Sequence, residues 1–567
     1  MYTHIKQVQI IISLLKQYNI RHLVISPGTR HVPLVHSVEI DPYFTCYSVV
    51  DERSAGYVAL GLAESLNAPV CVTCTSATAS CNYMPAMQEA FERHIPLVAL
   101  TADRARYQRF HGENQCINQV DMYRPYCKYA VDVPLVKDED DYWYCNRCVN
   151  EAFSAIYKHK PGPVQVNFLE PLNIFELSTF GVVDIPETRK INIISKDIKW
   201  EEYANMLVGK RVLVVCGNDK VYNKTLTNAL KHFNDKFETV IATDHFANIT
   251  DESFIHAPGL DDVLNYYERI DLKPDLVISF GSKVYSGFGV TFRNKGVPHW
   301  YINEEGHIYD PMRTLQNVFA VSPEVFFENI ASASTSRNSK QYYKLWHDRQ
   351  TEIDFSCSSF TNYVAIKETL KYLPEQSTVH ASVLNAMRFT NFCKLPKDTT
   401  YIGNLCADGI DGALSTFIGQ ASSTEKIALL VIGDLSYLYD LNASFDELPP
   451  NVRILLVNNN AGGEFHYNIS LARIHTLNQH IAASHHNQFK EIAEIVGAEY
   501  NLATSLSDLQ HLLKTFFMAS NKAKILEVVT DADNDGKELR AMLQRNRKPI
   551  GLYRRIQEKI KRIISKP

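Results

Sequence analysis

Short apolar, β-branched runs alternate with amphipathic stretches along most of the chain. Ile5, Val8, Ile12 and Leu15 fall on one helical face, and HLVIS after them reads as a strand ending in the turn SPGTR. FTCYSVV is a strand followed by a helix, PVCVTCT a strand, SATASCNYMPAMQEAFERH a helix, and IPLVALTADR a strand and turn. Residues 140–158 read as a helix and GPVQVNF as the strand that ends this part. The alternation is βαβ, which implies a parallel sheet. Polar and proline punctuation over residues 175–200 reads as a linker. A second α/β part follows through KRVLVVCGND, TVIATDHF and DLVISFGSKVYSGFG. It has no GxGxxG, so no dinucleotide site is assigned to it. The run SASTSRNSKQ, ending at Gln341, is a second linker. The expected architecture is α/β, with three consecutive doubly wound parallel-sheet domains at 1–180, 190–335 and 341–540. A basic amphipathic tail, 541–567, ends the chain. It suits a docked or frayed terminal helix, or contact with a membrane surface or a partner.

The third part holds the stretch with most chemistry in it. IALLVI and ILLV are short buried-strand patterns, each ending in small polar residues where a strand meets a helix. That carboxyl edge is where doubly wound sheets hold ligands. Asp434 ends the first strand, and Asn458-Asn459-Asn460 end the second. A carboxylate, an amide oxygen and a backbone carbonyl suit a hard cation such as Mg2+, which also takes diphosphate oxygens. Gly462-Gly463 lets the backbone approach a phosphate. Two ordinary βα turns are the alternative at this point.

Composition narrows the class without naming a reaction. The chain has 567 residues, 45% hydrophobic and 21% charged, with a formal net charge of −5. That is a globular composition with no reason to expect nucleic acid. No apolar run is long enough to span a membrane, and the amphipathic first 20 residues do not read as a signal peptide. The 12 scattered cysteines fit reduced thiols in a cytoplasm. Cys71 and Cys74 lie three apart on a strand and point to opposite faces, so they cannot chelate one ion. Cys145 and Cys148 sit in a helical stretch with no matching pair.

The GDL turn followed at this distance by NNN resembles the signature of thiamine-diphosphate (ThDP) enzymes. The wording GDLSYLYDLNA and VNNNAGGEF is similar to one family, the menaquinone-pathway 2-succinyl-5-enolpyruvyl-6-hydroxy-3-cyclohexene-1-carboxylate (SEPHCHC) synthases. SPGTR at 26–30, VDER at 50–53, LTADR at 100–104 and ADGIDG at 407–412 resemble it too, in the family's order. The resemblance implies ThDP and Mg2+, with Mn2+ as a substitute. Asp434, Asn459 and the Ala461 carbonyl would hold the metal. Gly433, Leu435, Ser436 and Gly462 would complete the cofactor turns, and Ile410 would wedge the cofactor into its bent shape. Glu52 would hydrogen-bond N1′ of the aminopyrimidine, while Thr29, Arg30 and Gln115 would meet substrate. From the residues alone, Thr29-Arg30 also reads as a simple helix entry, Glu52 as a helix-dipole partner and Gln115 as a loop cap. In the family the reaction decarboxylates 2-oxoglutarate and adds the remainder to isochorismate. Glu52 and the diphosphate site come from different subunits, so a homodimer or homotetramer is expected.

The match breaks at the family's cationic positions. An arginine before ADGIDG is Leu405, a Lys-Arg pair falls near Gly287-Phe288, and an arginine after the glutamine loop is Asn118. An NSxxxR motif is only loosely echoed by Ser382 and Arg388, and Glu464 brings a negative charge. Each lost charge-assisted pair removes about 1.5–3 kcal/mol of carboxylate binding. Arg30 is then the main remaining anchor, unless Arg106, Arg293 or Arg388 fill the same space. A less anionic substrate is expected, with Glu464 and His466 suited to hydroxyl-rich groups. A 2-oxoacid decarboxylase that releases an aldehyde, and a non-catalytic binding protein on the same fold, are the competing readings.

Overall fold

The computed structural model describes residues 1–170, 180–218, 224–285, 287–445 and 448–550. The chain divides into two compact units. The first holds residues 1–194 with 306–309 and 315–318, and the second holds the remainder.

In the first unit six strands form a parallel sheet in the order Thr45–Ser48, His22–Ile25, Val70–Cys74, Leu97–Arg104, Val164–Glu170, Tyr129–Val133. The sheet is doubly wound because its central strands are apolar on both faces. Helices Lys6–Gln17 and Glu139–Ala155 cover one face, packing Val8, Ile11, Leu15, Val149 and Phe153 on Leu23, Cys71, Val98 and Val166. Helices Glu52–Leu66 and Met84–Glu92 cover the other, packing Ala55, Ala59 and Met87 on Val24, Val72, Cys74 and Ala99. Cys71 and Cys74 therefore lie in opposite cores. The edge strand Tyr129–Val133 was not legible in the sequence. GPVQVNF, which reads as the end of the part, is an inner strand beside it.

In the second unit a parallel sheet runs Ile255–His256, Thr239–Thr243, Val212–Cys216, Leu276–Phe280, His299–Ile302. A second parallel sheet runs Thr400–Ile402, Thr378–Ala381, Ala428–Gly433, Val452–Asn458, Lys524–Val529, Glu499–Ala503. Alternate residues of its two central strands enter opposite cores. Leu429, Val431, Leu455 and Val457 pack with Ile366 and Leu509, while Leu430, Ile432, Ile454 and Leu456 pack with Phe417, Tyr437 and Phe489. These strands are neighbours in register, with Gly433 opposite Val457. Their carboxyl ends thus deliver Asp434 and Asn459 to one edge of the sheet. Among the described residues no helix is long and apolar enough to cross a membrane. The last helix, Ala532–Asn546, takes in the start of the expected tail, and residues 551–567 lie outside the described residues.

Candidate functional site

In the second unit the two predicted turns come together. A Cβ at Gly433 would meet nothing within 4 Å, so this turn faces open space. Asp434 is 3% exposed. Its Oδ1 accepts from the Leu435 amide at 2.8 Å. Its Oδ2 is buried without a hydrogen bond, and His485 Nε2 stands 3.3 Å away without the alignment of one. An unsatisfied buried carboxylate oxygen is costly, and a cation at this edge would satisfy it.

The second turn is built to present oxygen. Asn459 Nδ2 donates to Asp535 Oδ2 at 3.3 Å, which leaves Oδ1 to accept from the Ala461 amide at 3.3 Å and keep a further lone pair. Asp535 is itself held by the Asn362 amide and the Thr530 hydroxyl, and burial pushes its carboxyl up to about 6. Gly463 leaves room for the Asn459 amide, since a Cβ there would lie 2.4 Å from Asn459 Nδ2 and push it aside. The Gly462 amide is already committed, donating to the Ala482 carbonyl at 2.6 Å. Ser436 Oγ donates to the Ile410 carbonyl at 2.6 Å, tying the 407–412 loop to the Asp434 turn. Ile410 is partly buried against the adjoining core. The Asp434 carboxylate and the Asn459 amide oxygen, with a backbone carbonyl of the second turn, are the donor types that fit Mg2+.

The cationic positions are redistributed. Leu405 is a core residue, 3% exposed, but its carbonyl accepts from Lys283 Nζ at 2.8 Å. Lys283 also pairs with Asp408 Oδ2 at 2.7 Å. Lys283 was not singled out in the sequence, although it directly follows Gly281-Ser282. Gly287 and Phe288, in contrast, serve packing. A Cβ at Gly287 would strike Asp261 Oδ2, and Phe288 is buried beside Trp346. Ser382 is buried, and its Oγ accepts from the Gly433 amide at 3.4 Å. Arg388 Nη1 and Nη2 grip Glu464 Oε2 and Oε1 at 2.5 and 3.1 Å. His466 is buried, with Nδ1 2.7 Å from Asp533 Oδ1. Glu464 and His466 are thus both paired within the protein, His466 through Nδ1.

The first unit gathers a second set of predicted residues. Gly28 lets the SPGTR turn close on Thr75, whose Cβ would be 2.4 Å from an added Cβ. The Arg30 amide donates to Thr75 Oγ1 at 3.2 Å, and Thr29 is exposed beside it. Arg104 ends its strand opposite Glu170 in the neighbouring strand, and Arg104 Nη1 is 3.5 Å from Glu113 Oε2. Glu170 is 2% exposed, and neither carboxylate oxygen has a hydrogen bond among the described residues. Burial pushes its carboxyl well above the usual range, with the nearby Arg30 charge opposing. The sequence reading missed Arg104 and Glu170, although LTADR carried the first.

Gln115 has a left-handed backbone, φ 56°, and an exposed side chain, while its carbonyl accepts from Ser76 Oγ at 2.8 Å. The loop is anchored by buried Gln119, which bonds the Ala77 amide, the Ala102 carbonyl and Asn167. Among the described residues Asn118 makes only a local turn, accepting from the Val120 amide. Arg106 is paired with Asp132, and Arg293 bonds the Pro311 carbonyl. Glu52 opens helix Glu52–Leu66, capped by Asp51 through the Ser54 amide. Glu52 is partly buried, and its carboxylate has no hydrogen bond or ion pair among the described residues. Val50, Tyr57 and Val58 beside it are 80%, 46% and 41% exposed.

Residues 5–122 match the thiamine pyrophosphate enzyme, N-terminal TPP binding domain. Over its length the chain is similar to the SEPHCHC synthase of Bacteroides thetaiotaomicron, with 32% identity covering 95% of this chain and 98% of that one. The synthase of Bacteroides fragilis is 30% identical over 95% and 99% of the two chains. That of Flavobacterium psychrophilum is 31% identical over 93% and 96%.

Proposed function

The chain belongs to the SEPHCHC synthase family of ThDP-dependent enzymes, and from that premise we propose that it is a Mg2+-dependent carboligase acting on a 2-oxoacid donor. The donor's carboxylate would leave as CO2, and the remaining unit would join an acceptor, as 2-oxoglutarate and isochorismate do in the family. The observation that carries this reading is the buried Asp434 Oδ2 without a hydrogen bond at the carboxyl edge, after the strand next to that of Asn459, whose amide is held by Asp535. Asp434, Asn459 and the Ala461 carbonyl would hold Mg2+, with Mn2+ able to replace it. Gly433, Leu435, Ser436 and Gly462 would line the diphosphate, and Ile410 would support the bend between the cofactor's rings.

When bound, ThDP supplies the carbanion chemistry that breaks and forms bonds beside a carbonyl. The chain supplies the rest. Glu52 would hydrogen-bond N1′ of the pyrimidine. Arg30 and Thr29, at the turn pinned by Thr75, hold the donor carboxylate by charge-assisted bonds. Gln115 offers its amide from a loop anchored by Gln119. The exposed Val50, Tyr57 and Val58 beside Glu52 support burial against a second copy, so the active form is a homodimer or homotetramer. The protein would work in the cytoplasm, in a carboligation step like that of menaquinone biosynthesis.

The test of the substrate anchor is Arg30→Ala. It is expected to raise KM for the 2-oxoacid about 10- to 100-fold, the magnitude of one charge-assisted contact, with a smaller effect on kcat. Steady-state CO2 release with ThDP and Mg2+ reads this directly. An unchanged KM would remove Arg30 from the substrate site.

A further inference from the structure

Helix Asn385–Asn391 follows the carboxyl end of strand Thr378–Ala381, at the same sheet edge as Asp434 and Asn459. Leu384, just before it, is held at φ 66°, ψ −119°, outside the usual range for a side-chain-bearing residue, and is 44% exposed. Strain of this kind tends to collect at working sites. The helix abuts the proposed metal turn: a Cβ on Gly463 would lie 3.3 Å from Asn385 Nδ2 and 2.4 Å from Asn459 Nδ2. Arg388 lies one turn along the same helix. Its Nη1 bonds Asn385 Oδ1 at 2.5 Å, and its two terminal nitrogens clasp both oxygens of Glu464, the second residue of helix Gly463–Tyr467. The Tyr467 ring lies 5.3 Å from the guanidinium. Burial opposes the Arg388 charge, but the bonds and attraction from Glu464, with Tyr285 and Asp262 adding to them, hold it above its ordinary range. The pair is not sealed in the core: the side chains of Arg388 and Glu464 remain 21% and 26% exposed.

We propose that Glu464 is a specificity-determining residue: by occupying Arg388 from the protein side, it excludes a second carboxylate and confines the site to 2-oxoacids with an uncharged tail. This rests on the carboligase reading above and names its donor class. An unoccupied guanidinium beside the cofactor turn would present a planar fork suited to a carboxylate. Glu464 fills that fork with the same geometry a substrate carboxylate would use, so the substrate would have to displace it. A displaced Glu464 would then be a like charge beside the incoming carboxylate, which penalises a dianion twice. Lys283, held on the Leu405 carbonyl and Asp408, is likewise already paired. A tail without charge meets neither penalty.

The test compares wild type with Glu464→Gln, which keeps the shape and removes the charge. Two donors of equal length are used with ThDP and Mg2+: 2-oxoglutarate and 2-oxopentanoate. The ratio of their kcat/KM values is expected to move toward 2-oxoglutarate by about 10- to 100-fold, mostly through KM, as one charge-assisted bidentate contact is gained. Adding Arg388→Met to Glu464→Gln is expected to cancel the gain. Calorimetry with glutarate, a non-reacting dicarboxylate, gives a readout independent of turnover: binding should appear in Glu464→Gln and vanish in the double variant. Unchanged ThDP affinity checks that the variants are folded. A donor ratio and glutarate affinity that do not respond to Glu464→Gln would overturn the assignment while leaving the carboligase reading in place. Absence of turnover with every 2-oxoacid would remove that reading, and glutarate binding would still decide the role of Glu464.

Discussion

Glu52→Gln is expected to leave the fold and ThDP affinity nearly unchanged while lowering turnover by about 100-fold or more, the scale of a lost proton-transfer group. The substitution keeps the volume of the side chain at the first position of helix Glu52–Leu66 and leaves the Asp51 cap on the Ser54 amide intact. What it removes is the ionisable carboxyl that would share a proton with pyrimidine N1′, so that N1′ gains a proton as the 4′-amino group loses one and the imino form is reached. Glu52 has no ion pair or hydrogen bond among the described residues, so no internal contact is lost and the cost should fall on chemistry rather than stability. Hydrogen–deuterium exchange at C2 of bound thiazolium, followed by NMR, isolates this step. Exchange as fast as in the wild type would reject the role.

Asp434→Ala is expected to abolish Mg2+-dependent ThDP binding, weakening it well beyond the roughly 10- to 100-fold typical of losing a residue that merely supports a metal ligand. The same substitution should not lower the thermal midpoint of the metal-free protein. Asp434 Oδ2 is buried without a hydrogen bond, a cost in the absence of a cation that alanine removes and that offsets the lost bond from the Leu435 amide to Oδ1 and the nearby His485 Nε2. The two effects in opposite directions separate a ligand from a structural carboxylate. Calorimetric titration of ThDP with and without Mg2+ supplies the first half, and equal affinities in wild type would dismiss the metal assignment.

The cofactor edge was legible because it rests on local patterns: two apolar strands, each stopped by small polar residues. The parallel register that sets Gly433 opposite Val457 then follows from the doubly wound order. Tyr129–Val133 was hidden because an edge strand has less apolar surface to bury than an inner one, and four of its five residues remain partly exposed. The charges of the substrate region were harder still. Arg388 and Glu464 are 76 residues apart and looked like two separate departures, whereas in space each accounts for the other. Lys283 reaches the loop at Leu405 from 122 residues away, so replacing an arginine by leucine did not strip that loop of a cation. Glu170 is an ordinary strand-end residue in sequence, and only its burial opposite Arg104 sets it apart. Pairings of this kind depend on which strand ends the sheet brings side by side, and local spacing carries no record of that.

The central claim is bond formation between a decarboxylated 2-oxoacid and a separate acceptor. The most direct measurement is incubation of the protein with ThDP, Mg2+ and a 2-oxoacid, with and without isochorismate, followed by mass spectrometry of the products. The expected result is CO2 release in both and, only with the acceptor present, a product whose mass is that of acceptor plus donor less CO2. More of that product is expected from 2-oxopentanoate than from 2-oxoglutarate. Free aldehyde as the sole product whether or not isochorismate is present would mark a simple decarboxylase, no CO2 from any donor would mark a binding protein, and either result would contradict the account.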